Sequence, residues 1–368
     1  MEEHRASHGT GLLPTLTLVL LTLTGALIVL FGLREFADIV APLVLTVNLF
    51  IAAYPIQHAL VRAGAPRLVA QVALTLVVFA ILGAFFFALT WSITALVREL
   101  PSYQGRFVEL YHDVVNLLSA WGVTERQVLD QVSHVGPENV AGLLQRLLGQ
   151  VTGFVTVIVV IVTMVFMMAI DAGTFAARND ALHRHQPRIW HSIADFVVGV
   201  RRYWVVSTVF GLVVAVIDVI ALMILGVPLA LVWGILSFLT NYIPNVGFLI
   251  GLIPPALMAL LANDPLNALL VVIVYSVANF VFQAVIQPKF SGDAVGVTAT
   301  VAFLSLLLWS AVLGPLGAIL ALPMTLLVKA LFVDHDPSMR WLNAFLSNQP
   351  STADPHLPPE EEAETAQP

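Results

Sequence analysis

Cysteine is absent from the chain, so a disulfide framework, a thiolate metal site and a cysteine nucleophile are excluded together. Charge is nearly as scarce: 11% of the 368 residues are Asp, Glu, Lys or Arg, against roughly 25% in an ordinary soluble domain. No glycine-rich phosphate loop, P-loop lysine or nucleophile elbow is present, which leaves ATP hydrolysis and ester chemistry without machinery, and an enzyme is not expected. A basic surface is missing as well. The formal net charge of -7 makes nucleic acid an unsuitable partner.

What is present is apolar. Hydrophobic residues make up 59% of the chain and the mean hydropathy is +0.92. Stretches of about 20 apolar residues recur, the length at which a helix crosses a bilayer. The short alternating segments of a membrane barrel are not found. The sequence therefore predicts an all-α polytopic membrane protein. Full spans are expected at Leu12 to Leu33, Phe36 to Tyr54, Leu68 to Val97, Val151 to Ile170, Tyr203 to Leu225 and Leu266 to Ile286. The first of these follows a nearly neutral segment and exceeds a signal-peptide core, so it reads as a span.

Arg and Lys in the loops set the orientation. Arg62 and Arg67 follow the second span, and Arg178, Arg184, Arg188, Arg201 and Arg202 lie in the linker 171–202, so both read as cytoplasmic, with the amino terminus inside. The insert 98–150 then falls outside. Its residues Leu100, Tyr103, Phe107, Leu110, Val114, Leu117 and Trp121 repeat at spacings of three and four, and Thr124 with Gln127 suits a capping box. The stripe packs within a helical projection or pairs subunits. His183, His185 and His191 in the linker lack the carboxylate spacing of a metal site, and no cofactor is expected. The segment 334–368 closes the chain with Glu360, Glu361, Glu362 and Glu364 among prolines, a composition that builds no core.

Two apolar segments do not fit one span each. Val227 to Leu261 is interrupted by Pro244, Gly247, Gly251, Pro254 and Pro255, and Val295 to Val333 by Gly314, Pro315, Gly317 and Pro323. Broken backbone at membrane depth survives only where protein buries it or a watery cavity lines it, and paired breaks of this kind point to a transporter's binding region. The segments are either re-entrant hairpins entering from opposite faces, with tips meeting near mid-membrane, or kinked spans. Lys289, in the loop Pro288 to Asp293, favours hairpins by the positive-inside rule.

The run Asn241-Tyr-Ile-Pro-Asn-Val-Gly247, Gly251-Leu-Ile-Pro254, Gln287-Pro-Lys289, Gly292, and Leu313-Gly314 through Gly317 to Pro323 resembles the AI-2E family of autoinducer-2 exporters, also called PerM-like permeases. Phe248 stands where members often carry Pro, and Thr298-Ala299 replaces a His-Pro-like step. The resemblance covers most of the chain. It implies a multi-pass permease exporting small molecules such as autoinducer-2, with some relatives being cation/proton antiporters, and it implies a homo-oligomer in bacterial membrane lipid.

Between Tyr203 and Val333 the charged residues are Asp218, Asp264, Lys289, Asp293 and Lys329. Only Asp218 lies inside a span, where a carboxylate costs roughly 2.5 to 3.5 kcal/mol on insertion scales. It reads as a proton or Na+ site or as a satisfied structural acid. Lys329 reads as a snorkelling side chain. Asn241, Asn245, Asn279, Gln283 and Gln287 supply neutral hydrogen-bonding groups, suited to a small polar solute or to joining helices. The expected pathway comprises Asp218, Asn241, Pro244, Asn245, Gly247, Gly251, Pro254, Gln283, Gln287, Pro288, Lys289, Gly314, Gly317 and Pro323. It lies in a transport core at 203–333, following units at 1–97, 98–150 and 151–202.

Overall fold

The computed structural model describes residues 15–103, 105–106, 108–109, 112, 115, 142, 151–244, 246–286, 297–334 and 337–346. Most of the insert stripe, Asn245, the segment from Gln287 through Pro288 and Lys289 to Gly296, and the acidic tail from Ser347 lie outside the described residues. All regular structure described is helical. The helices are α1 (Thr15–Glu35), α2 (Ala37–Arg62), α3 (Arg67–Glu99), α4 (Val151–Asp171), α5 (Phe175–His185), α6 (Pro187–Ile224), α7 (Ala230–Thr240), α8 (Gly247–Ala262), α9 (Pro265–Asn279), α10 (Ala299–Ile319), α11 (Ala321–Lys329) and α12 (Asn343–Leu346). Among the described residues six helices are long and apolar enough to cross a membrane, namely α2, α3, α4, α6, α9 and α10, the last only when counted across its kink at Gly314. The protein is a polytopic membrane protein. The 21-residue α1, apolar up to Arg34, occupies the position of the expected first span.

Three packed groups organise the bundle. Phe50, Leu74, Val78, Ile161, Val165 and Ala169 join α2, α3 and α4. Leu222, Trp233, Met258, Val271 and Tyr275 join the end of α6 to α7, α8 and α9. Leu306, Trp309, Leu313, Leu320 and Met324 join α10 and α11 to Ala41 of α2. The basic linker and the fifth span turn out to share one helix: α6 runs unbroken for 38 residues, about 57 Å at 1.5 Å per residue. Near its start Trp190 donates its indole N–H to Asn179 Oδ1 at 2.6 Å and packs edge-on against His183 and His191.

Both anomalous segments fold as helical hairpins. In the first, α7 and α8 are too short to span alone and are joined by the turn 241–246. Its entry is a Schellman stop: Gly226 has φ 66°, its N–H reaches the Met223 carbonyl at 3.2 Å, and the Val227 N–H reaches Leu222 at 2.9 Å. The break is narrower than the prolines suggest. Pro254 and Pro255 lie inside α8 without ending it, because the chain has already turned before Gly247.

The second hairpin turns at Gly314, whose φ of 67° and ψ of -151° are open to glycine almost alone. Pro323 again does not break the chain; it sits in the first turn of α11, where an amide hydrogen would lack a partner. Ser305 donates to the Ala321 carbonyl at 2.7 Å and Trp309 donates to Thr325 Oγ1 at 3.1 Å, which holds the two limbs face to face. Lys329 does not snorkel. Its Nζ pairs with Asp334 at 2.8 Å, and Asn343 donates to the same carboxylate at 3.2 Å.

The glycines at these turns are close-contact points. A Cβ on Gly247 would stand 1.8 Å from the Thr240 carbonyl oxygen, and one on Gly317 would stand 1.9 Å from that of Trp309. Gly247→Ala and Gly317→Ala are each expected to destabilise the protein by about 1–3 kcal/mol, the range of overpacked sites. Gly83→Ala, where a Cβ meets nothing within 4 Å, should leave stability unchanged. Thermal unfolding in detergent checks this, and indistinguishable melting of all three variants would contradict the hairpin packing.

Candidate functional site

The buried face of α6 carries Tyr203, Ser207, Gly211, Ala215 and Asp218, a stripe of small and polar residues at three- and four-residue intervals. Small residues let α7 approach closely. Gly211 faces Asn241, whose amide nitrogen lies 2.6 Å from where a Cβ would be, and Gly234 of α7 faces Val219 in the same way. The two helices run antiparallel, bringing residue 237 beside 218 and residue 241 beside 207.

Two clusters result. In the first, the hydroxyl of Tyr203 lies 2.9 Å from the Tyr242 carbonyl oxygen and 3.2 Å from the Ile319 carbonyl oxygen, sharing one proton between the tips of the two hairpins. Ile243 and Val246 of the first tip also pack against the apolar cluster that contains Leu313 and Leu320 of the second. The hairpins reach this point from opposite ends of α6. The open end of the first is tied near the α6 carboxyl terminus, where Asn263 donates to the Leu225 carbonyl at 3.0 Å. The open end of the second lies near the amino-terminal part of α6, where Lys329 and Asp334 interact with Asp195. The Tyr242 hydroxyl pairs with Thr208 at 2.8 Å, and Trp204 donates its indole N–H to Asn48 Oδ1 at 3.3 Å, which links the clasp to α2.

The second cluster is a chain of amides. Asn241 donates to the Ser207 carbonyl at 3.0 Å; Gln283 donates to Asn241 Oδ1 at 3.0 Å and to Asn279 Oδ1 at 2.7 Å; Asn279 donates to the Tyr275 carbonyl at 3.1 Å. Gln283 sits on a π-helical turn, Phe280–Ile286, that continues α9. Such turns occur frequently at functional sites because the widened ring displaces a backbone carbonyl from its usual partner.

Below the amides lies Asp218, fully buried. Its Oδ2 accepts a hydrogen bond from Ser237 at 2.6 Å, while Oδ1 has no hydrogen-bond partner among the described residues. The Tyr275 hydroxyl of α9, which interacts electrostatically with Asp218, is likewise buried and without a partner among the described residues. Two unsatisfied polar atoms thus lie on the neighbouring helices α6 and α9. Leaving each buried and unpaired costs about 1–3 kcal/mol.

The structure thus unites Asp218, Asn241, Asn279 and Gln283 along one polar seam. Gly247 and Gly251 serve packing: both face α7, Gly251 meeting Thr240 and Ser237. Pro244 forms the first tip, its carbonyl accepting from the Val246 N–H at 2.7 Å, while half-buried Pro254 lies a turn away inside α8. Gly314, Gly317 and Pro323 belong to the second hairpin. Sequence reasoning missed Tyr203, Tyr242, Tyr275 and Ser237. The α6 stripe was the signal available for Tyr203.

Removing the clasp should loosen the tips. Tyr203→Phe, on a background carrying Ile243→Cys as the sole cysteine, is expected to raise the rate of maleimide labelling about fivefold or more, the effect of losing about 1 kcal/mol. An unchanged labelling rate would show that the tips are held by apolar packing alone.

The architecture has known relatives. A sequence profile described as AI-2E family transporter matches residues 16–334. The chain is similar to the AI-2 transport protein TqsA of Escherichia coli strain K12, at 29% identity over 82% of this chain and 88% of that protein. It is similar to E. coli YhhT at 28% identity, over 84% of this chain and 89% of that one. A Haemophilus influenzae protein is 30% identical over 84% of this chain and 90% of its own length. With a profile match over nearly all of the helical bundle and relatives aligned along most of their lengths, the chain belongs to the AI-2E transporter family.

Proposed function

We propose that this chain exports a small polar, autoinducer-2-like solute across the bacterial inner membrane, with both termini cytoplasmic and H+ or Na+ as coupling ion. The observation that carries this is the meeting of two opposed hairpin tips at Tyr203, beside the amide chain of Asn241, Gln283 and Asn279. Opposed tips make a barrier that parts from either side, and amides recognise hydroxyl and carbonyl groups without binding an ion tightly. The printed name of one relative, an AI-2 transport protein, supports the solute class. Arg62, Arg67 and the basic residues of the α5–α6 region support the orientation.

Asp218 is the coupling group of this reading. Ser237 holds one carboxylate oxygen, and the other has no partner among the described residues, so a proton or cation arriving there meets a ready acceptor. Sodium/proton antiport uses the same acid and is the second reading. In a scaffold that does not transport, the seam would only join helices. The oligomeric assembly belongs to the proposal too.

Flux into and out of proteoliposomes separates these readings. With a polar solute of this class, wild type should carry it and respond to an imposed proton or sodium gradient. Asp218→Asn, close to the same size, should keep flux but lose the gradient response. Gradient dependence that survives in Asp218→Asn would remove this acid from coupling. Absence of solute flux, with proton exchange driven by sodium, would favour the antiporter. Orientation has its own test. A cysteine at Ser291 should label from the cytoplasmic side alone, and labelling only from outside would reverse the second hairpin.

A further inference from the structure

Away from the seam, the last turns of α2 and the adjoining stretch of α6 border an open cavity of about 500 Å³, lined by Tyr54, Pro55, His58, Ala59, Arg62 and Arg201. Its chemistry is lopsided. Two guanidinium groups reach it, yet neither Arg62 nor Arg201 makes a hydrogen bond or ion pair with any described residue. Arg201 is half-buried, and a partly desolvated cation lacking a counter-charge among the described residues calls for an anion. The imidazole of His58 adds a donor. It stacks on Tyr54 at 6.2 Å between ring centroids, and the Tyr54 ring is itself set by Phe50 and Phe175.

The two cations stand at different depths. Trp204 bonds to Asn48, so Arg201, nearly one turn before Trp204, lies near the start of the carboxyl-terminal half of α2, and Arg62 ends that helix. Between them Pro55 and Ala59 present an apolar wall. The same stretches expose Ile56, Val61, Val198 and Val205. A ligand fitting this arrangement carries a phosphate for the arginines and hydrocarbon for the outer surface. Basic pockets between membrane helices bind anionic lipid headgroups on these terms.

We propose that the α2–α6 cavity is a binding site for the phosphate headgroup of an anionic phospholipid, held by Arg62 and Arg201 with its glycerol against Pro55 and Ala59. The lipid replaces the missing counter-charge and ties the three-helix unit of α2, α3 and α4 to α6, the helix on which both hairpins rest. This assignment is independent of the transported solute and of the coupling ion.

The test uses the purified full-length protein in neutral detergent. Phosphatidylglycerol should raise its melting temperature by about 4 °C or more, whereas phosphatidylcholine and inorganic phosphate should not. Native mass spectrometry should show retained phosphatidylglycerol. Arg62→Gln/Arg201→Gln should lose both effects, while Arg67→Gln/Arg178→Gln, neutralised outside the cavity, should keep them. Arg62→Lys/Arg201→Lys should recover part of the shift, which separates lost binding from misfolding. If the double glutamine variant melts lower without lipid, Arg62→Gln alone, exposed at a helix end, carries the comparison. Equal stabilisation by phosphatidylcholine, or a shift that survives in the glutamine variants, overturns the proposal. Stabilisation by inorganic phosphate through the same arginines, with phosphatidylglycerol adding nothing, also overturns it, making the cavity a soluble-anion site.

Discussion

Hydrocarbon offers no hydrogen bonds, so a helix interrupted within a bilayer must find partners for its freed backbone inside the protein. Much of this fold follows from that constraint. The chain interrupts two apolar segments, and at each interruption a carbonyl is left over: Tyr242 at the first, Ile319 at the second. One hydroxyl, that of Tyr203, serves both. The long α6 that presents it becomes the axis against which the hairpins are placed, and its small residues at 207, 211 and 215 let α7 lie close enough for Asn241 and Ser237 to reach it.

A seam formed this way is discontinuous by construction. The tips are joined by few polar contacts and a modest apolar patch, whereas the limbs of each hairpin are locked by backbone-close contacts at Gly247 and Gly317. Motion is therefore easier between hairpins than within them. Rigid elements meeting at a weak joint suit alternating exposure of a central site, as in transporters whose broken helices surround the substrate. The buried carboxylate of Asp218 sits beside the packed limb and away from the joint. A change of charge there would act on α7 through Ser237 and hence on the first tip.

The prolines illustrate how local signals mislead. Pro254, Pro255 and Pro323 carry the same helix-breaking chemistry as Pro244 and Pro315, yet the first two are absorbed within α8 and the third opens α11. A proline removes one hydrogen bond, which a packed helix tolerates. Gly314 is different, because its backbone angles admit almost no other residue, and there the chain does turn. Lys329 shows the complementary error: with Asp334 five residues on, its partner was present in the sequence, but pairing needed the π-helical turn 330–334 to bring the two together.

Composition alone determined that the chain is helical and membrane-embedded, since lipid-length apolar runs have no other stable form in a bilayer. Sequence also marked the two interrupted segments and singled out Asp218, Asn241, Asn279 and Gln283, because polar residues are rare enough there to be conspicuous. Tertiary structure decided what those residues do together. The linear order separates Asn241 from Gln283 and Tyr242 from Ile319, and only folding both segments back against α6 brings each pair within reach. Whether a broken helix kinks or reverses depends on which surfaces accept its limbs, here α6 for one limb of each hairpin and α9 or α2 for the other, and no local pattern encodes that choice.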